Sequence, residues 1–281
     1  MRWMGQRESD NVEDRRGMSG GKIVGGGIGV TLIAIVIYLL GGDPSQVLQN
    51  SSVNVPQQNT YHETAADSVA KSFVRVVLAN TEDVWTDQFT KMGETYQRPK
   101  LVLFTMSTQS GCGGASASTG PFYCPSDEKV YIDLSFYDEL KNRFHAPGEF
   151  AMAYVIAHEV GHHVQHLLGI SDKVHQLQQQ GSQEQANALS VRLELQADFL
   201  AGMWAHHAQQ MKNILDPNDI DDALAAANAI GDDRLQQEAQ GYAVPESFTH
   251  GTSKQRMYWF KKGFESGNLN DGNTFDSNAL K

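Results

Sequence analysis

Apolar positions fall into two regimes along this chain. From Ile23 to Leu40 they run almost without interruption, whereas beyond Glu63 they recur with helical or strand periods. Ala66, Val69, Ala70, Phe73, Val76 and Val77 share one helical face, so a helix is predicted from near Glu63. Lys100 to Met106 and Lys129 to Leu134 are short apolar runs that read as strands. Further on the pattern is helical. Pro147-Gly148-Glu149 opens a helix predicted to end near Gly169. A second spans Gln183 to about Met211, and a third follows Asp216-Pro217 through an alanine-rich stretch toward Gly231. The last, Ser253 to Phe264, carries Met257, Tyr258, Trp259 and Phe260. Residues 268–281 read as frayed, and there is no internal repeat. The expectation is an α+β, helix-rich domain with a small sheet.

The continuous run has a different meaning. No charge interrupts Ile23 to Gly42, and about 20 apolar residues suffice to cross a bilayer. Glycines crowd its start and Tyr38 sits near its end, as in membrane helices. A cleaved signal peptide would have a shorter apolar core and a small-residue cleavage site. Arg2, Arg7, Arg15, Arg16 and Lys22 precede the run, and the next basic residue is Lys71. The positive-inside rule then places the N-terminus in the cytoplasm and the rest outside, in the periplasm of a diderm bacterium. The expected partition is a cytoplasmic tail (1–22), a single-pass transmembrane anchor (23–42), a linker rich in Gln, Asn, Ser and Pro (43–61) and an extracytoplasmic domain (62–281). Cys112 and Cys124 flank a Gly/Ser/Ala loop. In an exported domain this even count suggests one disulfide, with two buried thiols as the alternative.

With 281 residues, 40 % of them apolar, the chain can bury one sizeable core. Its net charge of −11 and the lack of a basic stripe argue against nucleic acid as a partner.

The chemistry concentrates in His158-Glu159-Val160-Gly161-His162. Histidines four apart on a helix lie roughly 40° apart around its axis and can reach one cation. The intervening Glu159 can then act as general base on a water at that metal. The preceding Phe150 to Ala157 is apolar, and burying two histidines and a glutamate without a metal would be costly. Gly161 leaves room for another element to pack closely. A catalytic zinc site needs a third protein ligand and an open position. Gln165 and Leu168 occupy the positions where an extended motif would have glycine and a third histidine. Glu194-Leu195-Gln196-Ala197-Asp198 offers the alternative. Glu194 would ligate the metal, and Asp198 would orient a ligand histidine. Asp198 itself and Glu184 are the other ligand candidates. His163 and His166 read as supporting or surface residues. His206 and His207 point about 100° apart and do not suit one ion. The acidic run from Asp216 to Asp222 reads as a helix start.

Taken together, the sequence resembles the bacterial neutral zinc metallopeptidases of the YpfJ-like type. The matching features are the glycine-rich apolar run, the Cys-flanked loop, Val130-Tyr131-Ile132-Asp133-Leu134, His158 to His162, Glu194 to Asp198, and Thr249-His250-Gly251-Thr252-Ser253 with Gln255-Arg256. The resemblance implies a zincin-like (gluzincin) domain, one Zn²⁺ per chain and a peptide or protein substrate. By the same analogy His250 donates to the developing oxyanion; capping of the last helix is its alternative role. Tyr131 and Arg256 become candidates for substrate binding, with Tyr131 on a sheet edge. A non-catalytic, zinc-stabilised, membrane-tethered binding module is the competing function. A hydrolase of non-peptide amides would share the same metal ligands.

Overall fold

The computed structural model describes residues 1–17, 61 and 63–276. It is helix-rich α+β, with two small sheets among the described residues. Strands are β1 (Val12–Asp14), β2 (Lys100–Phe104), β3 (Ser107–Ser110), β4 (Gly113–Ser116), β5 (Phe122–Cys124) and β6 (Lys129–Asp133). Helices are α1 (Ala65–Lys91), α2 (Phe136–Asn142), α3 (Glu149–Leu167), α4 (Ile170–Gln178), α5 (Gln183–Lys212), α6 (Asp219–Ala229), α7 (Asp232–Gln240) and α8 (Ser253–Ser266). Helix starts follow local chemistry. Thr64 with Asp67, Ser182 with Gln185 and Thr252 with Gln255 form reciprocal capping boxes on α1, α5 and α8.

The larger sheet has the order β1-β2-β6-β5, with β1, β2 and β6 parallel and β5 antiparallel to β6. β3 and β4 form a separate hairpin, and its turn is tied to β5 by the Cys112–Cys124 disulfide. Beneath the sheet, α3 is buried along nearly its whole length, so its sequence is apolar all round rather than along one stripe. It packs against α5, which in turn crosses α8 at unusually short range. A Cβ on Gly202 would lie 2.0 Å from the Phe260 carbonyl oxygen, and one on Gly263 equally close to that of Phe199. Only glycine at both positions lets these backbones touch. Gly161 does the same for α3, where a Cβ would meet the Ala197 carbonyl oxygen at 3.1 Å.

The expectation of a domain preceded by one transmembrane helix is corrected. The apolar run 23–42 lies outside the described residues, and among those described no helix is long and apolar enough to cross a membrane. Residues 1–17 are also not a separate tail. Val12 to Asp14 extend the sheet in register with Leu101 to Leu103. Trp3 is buried against Phe73, ring centroids 5.4 Å apart, and its indole donates to Glu149 at 3.0 Å. Buried Glu82 accepts from Arg7, Ser9 and Asn11. One crossing between residues 17 and 61 would leave strands of one sheet on opposite faces of a bilayer, so a single-pass anchor dividing tail from domain does not fit this fold. Basic residues that seemed to mark a cytoplasmic flank instead make fold contacts. Arg16 donates to Asp14, Tyr61 and Glu63, and Arg7 to Glu82 and Asp83.

The C-terminal stretch is likewise ordered through residue 276. Thr274 is fully buried and accepts from Arg192, while Gln196 donates to the Gly272 carbonyl at 3.0 Å.

Because residues 1–17 form a strap that completes the sheet, a fragment starting at residue 62 will not give the cooperative unfolding transition of the full chain. Glu82→Gln in the full chain should lower stability by about 2 kcal/mol, the worth of hydrogen bonds to a buried charge. Denaturant titration followed by circular dichroism measures both, and an unchanged midpoint for the fragment would refute the strap.

Candidate metal centre

His158 and His162 project one turn apart from α3, with ring centroids 4.8 Å apart. Glu194 reaches them from α5. Its Oε2 lies 3.1 Å from His158 Nε2 and its Oε1 3.4 Å from His162 Nε2. One ligand atom from each of the three lies within 4.8 Å of the others. Two imidazoles and a carboxylate form a donor set that zinc takes at catalytic sites. His158, Glu159, His162 and Glu194 line one side of a cavity of about 750 Å³. Phe122 and Tyr123 of β5, α4, and the loop bearing His250 close the other sides.

Each ligand histidine has a support behind it. Asp198 accepts from His158 Nδ1 at 2.9 Å, which leaves Nε2 facing the cluster. Asp198 also accepts the Tyr154 hydroxyl at 2.6 Å and two nitrogens of Arg256 at 2.9 and 3.0 Å. His162 Nδ1 donates to the Gln165 side-chain oxygen at 2.9 Å. The Gln165 amide is anchored in turn on the Leu193 carbonyl and on Gln196.

The electrostatics fit a dication. Burial opposes ionisation of Asp198, but Arg256 and His158 outweigh it and bring its pKa to about 2. Burial acts likewise on Glu194, and the two histidines hold it well below its usual range. Two ionised carboxylates thus face one fixed cation, Arg256. The surplus negative charge raises both histidines against their burial, His158 to about 10. The cluster therefore draws positive charge, as protons or as a metal in their place. Burial pushes Glu159 upward instead.

Comparison with known proteins agrees with this geometry. A family model described as "Putative neutral zinc metallopeptidase" matches residues 1–275. The chain belongs to this family. It is 53 % identical over 285 residues to Escherichia coli K12 "Uncharacterized protein YpfJ", covering 98 % of this chain and 99 % of the relative. It is 40 % identical over 258 residues to "Uncharacterized protein Rv2575" of Mycobacterium tuberculosis H37Rv, covering 86 % of each. No solved structure matches the chain.

Within this member of the zinc metallopeptidase family, His158, Glu159, His162, Glu194 and Asp198 come together as their helical spacing suggests. His250 lines the same cavity, with half its side chain exposed. It does not cap α8, since Thr252 does. Asp232 holds it, accepting from its Nδ1 at 3.2 Å and from the backbone amides of Thr249, His250 and Gly251. Arg256 lines the cavity too, but at 2 % exposure, with its guanidinium bonded to Asp198. Tyr131 is outside the site. It is fully buried in β6, a central strand, stacked on Phe122 and bonded to Asp127. The edge beside the cavity is β5. His206 and His207 cap the end of α8 through the Phe264 and Gly267 carbonyls.

Sequence reasoning missed Tyr154, Gln165 and Asp232. The first two carried a signal, because Tyr154 stands four residues before His158 and Gln165 three after His162, on the ligand face. Asp232 opens a short helix far along the chain and gave none.

Asp198→Asn should weaken zinc binding about 10- to 100-fold, as for other partners of ligand histidines. Competition against a chromogenic chelator reads it. Arg256→Met should cost about 3–5 kcal/mol, because it leaves Asp198 charged and unpaired in the core. Wild-type stability in that variant would show that Asp198 does not depend on it.

Proposed function

We propose that this chain is a zinc-dependent peptidase whose general base is Glu159. One observation carries this reading. Glu159 is 8 % exposed, lines the cavity beside the metal triad, and its side chain makes no hydrogen bond to another described residue. A merely structural buried carboxylate would be satisfied by donors, as Asp198 and Glu82 are. One left open to the cavity beside a cation site suits a group that must take and release a proton.

A bound zinc ion would polarise the scissile carbonyl and bring the pKa of a water near 7. His158, His162 and Glu194 would hold that ion. Glu159 accepts the proton of the attacking water at its carboxylate oxygen and passes it to the leaving amine nitrogen. His250, fixed through Asp232, donates to the oxygen on which charge develops. The disulfide supports an oxidising compartment as the place of work.

Glu159→Gln should keep about one zinc per chain while hydrolysis of a fluorogenic peptide library falls roughly 10²- to 10⁴-fold. Equal cleavage by the variant and the wild type would end the proposal and favour a zinc-stabilised binding module. A second test uses pH. The hydrogen bond to Asp232 keeps His250 protonated above its usual range. Its assistance is therefore present at lower pH and lost as pH rises through that raised value. Asp232→Asn should move the alkaline limb of kcat/KM to lower pH. An unmoved limb would remove His250 from the mechanism.

A further inference from the structure

β5 borders the cavity with Phe122 and Tyr123, yet it is only 3 residues long and pairs on one side, with β6. So short an edge strand is weakly held by its own ladder. Alternation sends its side chains to opposite faces. Phe122 and Cys124 turn inward, to the Tyr131 stack and the disulfide. Tyr123 turns toward α3, where its hydroxyl meets His163 Nδ1 at 2.9 Å. His163 Nε2 lies 2.6 Å from the Gln97 carbonyl oxygen, in the loop that leads into β2. A carbonyl can only accept, so Nε2 carries the hydrogen and Nδ1 of the neutral ring accepts from Tyr123. The ring is fully buried, between the edges of Tyr96 and Tyr123.

This arrangement spans three elements and starts one residue after the metal ligand His162. An apolar side chain would fill the same space at no cost in polar burial. The directional pair adds a fixed distance between the cavity-side strand and the ligand helix.

We propose that Tyr123 and His163 are positioning residues that hold the β5 edge in register with the metal centre, so that an extended peptide on that edge meets the metal at its scissile bond. This rests on the peptidase reading above. Peptides bind exposed sheet edges through their main chain, so an error in the position of the edge becomes an error in the position of the substrate.

The test compares zinc-loaded full-length wild type with Tyr123→Phe, His163→Phe and His163→Gln. Hydrogen exchange of amides 122–124, zinc content, and KM and kcat on a fluorogenic peptide pool are measured. Tyr123→Phe and His163→Phe should each speed exchange in β5 and lower kcat/KM by about fivefold, the worth of one hydrogen bond, with KM raised and zinc content unchanged. His163→Gln, which can still donate and accept, should recover part of both effects. Unchanged exchange and KM would overturn the proposal. So would loss of zinc together with a fall in kcat, because the pair would then support the ligands rather than the strand. Failure of the peptidase reading appears elsewhere, as wild-type cleavage that does not depend on Glu159.

Discussion

A charge with no access to water organises this molecule. Asp198 is fully buried and ionised, and such a group is tolerated only when donors surround it. Three residues on two helices donate: Tyr154 and His158 on α3, and Arg256 on α8. Satisfying one carboxylate therefore fixes three helices. The glycine contacts serve that end. Gly202 lies one turn beyond Asp198, and Gly263 two turns beyond Arg256, so the backbone contact between α5 and α8 sets how closely guanidinium and carboxylate approach. The metal cluster is the outer surface of this buried network.

That layering explains the difference between the two carboxylates of α5. Glu194 and Asp198 are one turn apart on one face, yet Glu194 is part-exposed at the cavity and Asp198 is sealed. The first is placed to meet a metal. The second supplies negative charge through a histidine without reaching the cavity. Glu159, on the neighbouring face, receives no donors and keeps its lone pairs free for the cavity.

Much of this centre was legible because helical spacing converts directly into geometry. His158 with His162, and Glu194 with Asp198, each declare a shared face, and the long apolar periods located α1, α3, α5 and α8. Spacing gives a face but not its partner. Arg256 looked available for substrate because nothing local neutralises it; its partner is Asp198, 58 residues away. Tyr131 looked like an edge residue because β5 and the hairpin are too short and glycine-rich to announce themselves. At the N-terminus, a run of apolar residues and its basic flank carry a strong membrane pattern. The same basic side chains serve equally well in ion pairs within a domain, and pattern alone does not separate the two uses.

The strap has a consequence for how the domain is held together. Residues 1–17 leave the fold at Gly17 and the chain re-enters beside it, since a Cβ on Gly17 would lie 3.0 Å from the Tyr61 side chain. Arg16 bridges the two sides of this gap through Tyr61 and Glu63. Trp3, Arg7 and β1 hold the first segment to the domain by contacts of their own. The two segments that flank residues 18–60 therefore meet at one place on the domain, so the sheet is completed beside the point where the rest of the chain begins.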